Sequence, residues 1–199
     1  MLRINRVPME TIFIKNMVCS RCKLAATLAF EKARIPLLHI SLGQVQVRRA
    51  DVSPAKLAVL DSLLKEYGLE RTTDRKSRLL EQLKAFIIEY IHFRDLSEIK
   101  LKWSQLLEQQ LGYDYDYLSK LFSSANGITL ERYIIKQKIE KVKAYLAHDE
   151  MRLKEIAYRM GYKNTNHVSS QFRKVTGVTI SCFRRNIRES RRLSVDQIT

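Results

Sequence analysis

Two stretches of this chain, about fifty residues apart, follow one plan. Residues 104–127 read SQLLEQQLGYDYDYLSKLFSSANG and residues 152–177 read RLKEIAYRMGYKNTNHVSSQFRKVTG. They align as L-G-Y with M-G-Y, then as L-x-x-x-F with V-x-x-x-F, then at a closing glycine, Gly127 or Gly177. A repeat of this kind restricts the fold to one in which the same small unit is built twice. In each copy the spacing predicts a short helix, a turn at Gly112 or Gly161, and a second helix. Leu118, Leu121 and Phe122 face inward in the first copy; Val168, Phe172 and Val175, with Ile156 and Ala157 on the shorter helix, do so in the second. Between them, TLERYIIKQKIEKVKAYLAH is predicted as one long amphipathic helix, with Leu130, Ile134, Ile135, Ile139, Val142 and Leu146 on its apolar side.

Each copy has the helix-turn-helix pattern, in which a small turn residue lets the second helix cross the first steeply and turn its polar face outward to a major groove. Two such units on a stiff spacer fit successive groove faces of duplex DNA, roughly 34 Å apart. Charge agrees. The chain holds 36 Lys and Arg against 21 Asp and Glu, a net +15, which favours polyanionic partners through counterion release. Residues 1–74 hold 12 basic and 7 acidic side chains and residues 75–199 hold 24 and 14, so most of the positive field belongs to the part with the repeat.

On the second copy the outward face offers Thr165, Asn166, Ser169, Ser170 and Arg173, with Lys174 beside them. Asn166 suits bidentate pairing with adenine, the hydroxyls meet several base edges, and Arg173 and Lys174 suit phosphates. Asn164 is a candidate helix cap. The first copy offers Tyr115, Asp116, Ser119 and Lys120; Asp114 and Asp116 would repel phosphate, and Asp116 is either an acceptor for cytosine N4 or a cap. Trp103 and the tyrosines at 113, 115 and 117 read as packing residues before base-stacking ones. The basic run FRRNIRESRR, residues 183–192, is a terminal helix, a phosphate-side clamp or a solvated end.

The stretch LKEIAYRMGYKNTNHVSSQFRKVTGVT, with its E-I-A, G-Y and F-x-K-x-x-G, resembles the signature of AraC-type transcription regulators. The resemblance covers about residues 97–185, with both helix-turn-helix copies and the linker helix in family order, and implies sequence-specific binding of double-stranded DNA.

The first seventy residues are of another kind. ETIFIKNMV reads as a strand with Ile12 and Ile14 on one side, and CSRCKLAATLAFEKARI as a helix with Leu24, Leu28, Ala25 and Ala29 at helical spacing. LLHISLGQVQVRRA suits a hairpin turning at Gly43 and Gln44. SPAKLAVLDSLLKEYG follows as a helix with Ser53 as its cap, Pro54 in its first position and Gly68 as its stop. A short strand at LERTT completes β-α-β-β-α-β, the ferredoxin-like order. The fold class is therefore α+β: a ferredoxin-like domain over residues 1–74, a connector helix within 75–98, and an all-α double helix-turn-helix domain over 99–192.

NMVCSRC places two thiols three residues apart at a helix start, where unpaired N–H groups favour thiolate. Cys19 and Cys22 can converge on one soft ion, Cu(I) or Zn(II), act as a dithiol/disulfide switch, or be silent; no His or further Cys nearby in sequence completes a tetrahedral zinc site. The strand, this loop, the hairpin and LLKEYGLE resemble the heavy-metal-associated domain of copper chaperones and metal pumps, with Asn16 where that family has glycine. The resemblance implies a soft-metal site at Cys19 and Cys22.

No stretch approaches the ~20 apolar residues of a membrane span, and the N-terminal residues lack an export signal, so a reducing cytoplasm is expected. Catalysis is not expected, for no phosphate loop, Ser/His/Asp set or carboxylate pair is present. The sequence thus predicts a sequence-specific DNA-binding regulator, with a response to soft metal or thiol redox state at the CxxC pair, and a homodimer, as open options. The alternative is a metal chaperone or buffer, or a basic nucleic-acid-associated protein without sequence preference.

Overall fold

The computed structural model describes residues 8–98, 101–148 and 151–196, with side chains to Ile187 and that of Glu189. The chain divides into two compact units, residues 1–88 and 89–199.

In the first unit the β-branched run at Met9–Lys15 forms β1. It pairs antiparallel with β3 (Gln44–Arg48) on one side and β4 (Glu70–Thr72) on the other. β2 (Leu37–Ser41) adds to β3, so the sheet order is β2-β3-β1-β4. Two helices complete the β-α-β-β-α-β element order: α1 (Ser20–Lys32) and α2 (Pro54–Glu66). Alternation along the strands sends Ile12, Ile14, Val45 and Val47 into one core with Phe30, Leu60 and Leu64.

Local chemistry explains the ends. Ser53 Oγ accepts the Lys56 N–H at 3.3 Å, Pro54 opens α2 where no N–H is needed, and Gly68 turns the chain out at φ +69°. Arg71 donates both Nε and a terminal nitrogen to the Asp61 carboxylate at 2.9 Å, a two-pronged bond between β4 and α2.

Two details differ from the sequence expectation. The hairpin turns at Leu42 and Gly43, one residue early, because Gly43 takes φ +74° while Gln44 already pairs with Ser41 and Phe13. Of the residues at helical spacing in α1, Ala29 is buried, with Ala26, Phe30 and Ala33, and Ala25 packs against the core, whereas Leu24 and Leu28 are 63% and 40% exposed. Small alanines let the helix approach closely, and Phe30 fills the core beside them.

α3 (Arg75–Phe93) buries Leu79, Leu80, Leu83, Ile87, Ile88 and Ile91, with Phe86 half-buried. Its Glu81 is also buried, paired with Lys84 at 3.2 Å, and lies over Gly43, where an added Cβ would meet it at 3.4 Å.

The second unit is helical: α4 (Trp103–Leu111), α5 (Tyr115–Asn126), α6 (Leu130–His148), α7 (Leu153–Arg159), α8 (Thr165–Thr176) and α9 (Ile180–Asp196). Leu118 and Phe122 of α5, Ile139 and Val142 of α6, and Val168 and Phe172 of α8 are fully buried; Leu121, Ile135 and Val175 are half-buried. Among the described residues no helix is long and apolar enough to cross a membrane.

Candidate nucleic-acid interface and cysteine pair

The two repeat copies are the helix pairs α4–α5 and α7–α8, each closed by a left-handed glycine: Gly127 at φ +67° and Gly177 at φ +80°. The turn glycines Gly112 and Gly161 are left-handed as well, at +71° and +65°. Only Gly161 is also sterically required, since a Cβ there would stand 3.3 Å from the Leu96 carbonyl oxygen.

α8 exposes four of its six candidate residues. Asn166, Ser170, Arg173 and Lys174 are exposed, while Thr165 and Ser169 are half-buried and Ser169 donates its hydroxyl to the Thr165 carbonyl at 2.7 Å. Asn164 is the cap, its Oδ1 accepting the His167 N–H at 2.9 Å. Thus Asn164 belongs to the frame, and Asn166 is the free amide on the face. Beside it runs a groove of about 780 Å³ lined by Ser169, Ser170, Arg173, Lys174, Thr179 and Arg184. Arg184, on α9, was legible only as one of several arginines in a basic run. Its terminal nitrogen donates to the Met151 carbonyl at 3.1 Å, and its Nε is buried with no hydrogen-bond partner among the described residues. Arg191 and Arg192, in the same run, lie outside the described side chains.

The first copy is poorer in cations. Asp116 and Lys120 are exposed, Tyr115 and Ser119 half-buried. Asp114 holds the cap position but makes no cap bond; instead the Glu108 carboxylate accepts the Tyr115 N–H at 2.9 Å. Asp116 is therefore not the cap, and its carboxylate stays on the surface. Burial, then the nearby Glu131 and Asp116 charges, push the Tyr115 phenol above its ordinary range. Tyr113 stacks on Tyr117 at 5.5 Å, and Trp103 meets Tyr90 edge-on at 5.8 Å, so these aromatics pack on one another.

In the first unit, Cys19 caps α1: its Sγ accepts the Cys22 N–H at 3.4 Å and lies 3.1 Å from the Cys22 Sγ. The bond from the Cys22 thiol, chiefly, with the backbone N–H groups of Cys22 and Arg21 and the Arg21 charge, holds the Cys19 thiol below its usual range. Asn16 supplies the left-handed turn at φ +66°, and Met17 is buried beneath the loop. Among the described residues no group of three or more His, Cys, Asp or Glu converges, so within them the site offers a soft ion two thiolate donors, Cys19 and Cys22. Cys182 is half-buried and remote in sequence.

Residues 107–186 match a family described as "Helix-turn-helix domain", and that is what the repeat builds. The AraC-type resemblance falls on the same residues. The chain is 31% identical over 102 residues to the uncharacterized HTH-type transcriptional regulator YtdP of Bacillus subtilis, covering 51% of this chain and 13% of that one. It is 28% identical over 112 residues to the HTH-type transcriptional activator RhaS of Escherichia coli, covering 56% and 38%. The chain thus spans well under half the length of these curated relatives. Among solved structures, the C-terminal domain of AraT, a response regulator from Geobacillus stearothermophilus, overlays 57% of this chain and 88% of its own with a TM-score of 0.48 at 25% identity. The DNA-binding domain of AdpA, solved with a target DNA, overlays 56% and 95% with a TM-score of 0.47 at 19% identity.

Proposed function

We propose that this chain is a sequence-specific DNA-binding transcription regulator of AraC type, working in the cytoplasm. One observation carries the reading: the repeated helix-turn-helix ends in a helix, α8, whose exposed face holds Asn166 and Ser170 flanked by Arg173, Lys174 and Arg184. That is a base-reading centre with a phosphate-holding rim. Residues on α5, namely Tyr115, Asp116, Ser119 and Lys120, would read a second, adjoining stretch of groove with less help from charge. Selection of a binding site from random duplexes, followed by footprinting, tests this. A protected sequence bound ~10³-fold or more above random DNA at fixed salt supports it; diffuse, salt-labile coverage sinks it.

The first unit, on this proposal, is a ferredoxin-like domain of the heavy-metal-associated kind that responds to a soft metal ion or to oxidation at Cys19 and Cys22. Two converging thiols with a depressed Cys19 support that role. Such an effect is worth typically ~1 to 3 kcal/mol in DNA affinity. Anisotropy titrations of apo, Cu(I)-loaded, oxidised and Cys19→Ser protein on the selected site test it; four equal affinities end the sensing role and leave the DNA-binding one standing.

A further inference from the structure

The second unit contains a cavity of about 390 Å³ between its two helix-turn-helix copies, walled by Trp103 of α4, Tyr115 of α5, Ile134 and Ile135 of α6, and Tyr162 in the turn before α8. Its size and its aromatic and aliphatic walls are those of small-molecule sites, which run ~300 to 1,000 Å³. One polar group in it is out of place. Lys138, from the middle of α6, is largely buried, and its described electrostatic contact is the Tyr162 ring, whose centre lies 4.9 Å from the ammonium. The Tyr162 hydroxyl is engaged by Gln171, which also lines the cavity, donating to its Oε1 at 2.9 Å. Burial lowers the Lys138 pKa to about 8, so at neutral pH the site still holds a cation that water solvates poorly. Glu131 also lines the cavity, with no ion pair to Lys138 among the described contacts, and Lys102 adds a second positive charge.

We infer that this cavity binds a small organic anion with a flat apolar body, an aromatic carboxylate, whose charge pairs with Lys138 while its ring packs between Trp103 and Tyr162. Such a ligand supplies a counter-charge paired with Lys138, which no described residue does, and covers aromatic surface now open to water. Because the walls come from both copies and from the helix joining them, it also braces the two against each other. Any consequence for DNA rests on the regulator proposal; binding itself does not.

The test uses the full chain without DNA. Naphthalene-2-carboxylate, its neutral carboxamide and inorganic phosphate are titrated by calorimetry at pH 7. The indole N–H of Trp103, the chain's only tryptophan, is followed in parallel as a single NMR cross-peak. The expected result is one saturable site with a shifted Trp103 signal, the carboxylate binding at least tenfold tighter than the carboxamide, and phosphate giving neither heat nor shift. Lys138→Gln is expected to erase the tenfold gap. Ile135→Phe, which narrows the cavity and leaves Lys138 and the single tryptophan in place, is expected to abolish binding, and serves if the first variant does not fold. Equal affinity for carboxylate and carboxamide, carboxylate binding unchanged in either variant, or no heat and no shift up to millimolar ligand would overturn the site. An added arm measures affinity for the selected DNA with and without the carboxylate: no change there, with ligand binding intact, removes the bracing effect alone.

Discussion

The side-chain amide of Asn16 donates to the carbonyl of Gly68 at 3.1 Å, clipping the loop before the cysteine pair to the end of α2 across fifty-two residues. Asn16 does two things at once, since it also holds φ +66°. Asn16→Gly keeps the turn and loses the clip, whereas Asn16→Ala loses the clip and adds left-handed strain. We expect destabilisation of about 0.5 to 1 kcal/mol for the first and about 1.5 to 2.5 kcal/mol for the second, read from urea midpoints at constant slope.

Gly161 and Gly112 are equally left-handed but not equally crowded. A methyl at Gly161 meets the Leu96 carbonyl oxygen at 3.3 Å, and one at Gly112 meets nothing within 4 Å. Gly112→Ala should cost about 1 kcal/mol from backbone strain alone, and Gly161→Ala about 2 to 3 kcal/mol. Equal losses would show that the contact with Leu96 yields freely.

Asn164 and Asn166, two residues apart, separate frame from readout. Asn164→Ala removes the bond to the His167 N–H and should lower stability by about 1 kcal/mol. Asn166→Ala, at an exposed position, should leave the melting temperature unchanged while weakening the selected DNA site by about 1 to 3 kcal/mol and relaxing preference at one base pair.

Lys138 makes stability depend on pH in an unusual direction. Its folded pKa of about 8 lies below the ordinary 10.5, so between those values the unfolded chain binds the extra proton and stability rises with pH; below pH 8 the full penalty is present. Tyr115, Glu131, Tyr162, His167 and Lys102 share its cavity. Tyr162, pushed up by burial to about 12, acts oppositely, but only above pH 10. Lys138→Met should therefore stabilise the chain by roughly 1 to 3 kcal/mol at pH 7, with the gain at least halved at pH 9.5. A variant no more stable than the parent at pH 7 would mean that the Tyr162 ring already compensates the charge.

Much of this was readable in the amino-acid order, because caps, turns and period-3.6 stripes are local. Ser53 with Pro54 and Gly68 bounded α2 correctly, and Phe122 and Phe172 were placed inward by their spacing from Leu118 and Val168. α1 was misjudged for a physical reason. Leu24 with Leu28, and Ala26 with Ala29 and Phe30, are both acceptable helical stripes, and only the close approach of the neighbouring sheet decides between them. Lys138 was invisible for a similar reason. On α6 alone it is one lysine among several, and the Tyr162 ring that it meets lies twenty-four residues on. The α8 face was legible as residue types, but Arg184 joined it only through the packing of α9.

The unequal charge of the two copies bears on how such a chain would lie on an operator. With Arg173, Lys174 and Arg184 at one end and exposed Asp116 with Lys120 at the other, the molecule carries its own head and tail. A single copy would then select an orientation as well as an address, so its target need not be a palindrome and inverting the site relative to a promoter would change the outcome.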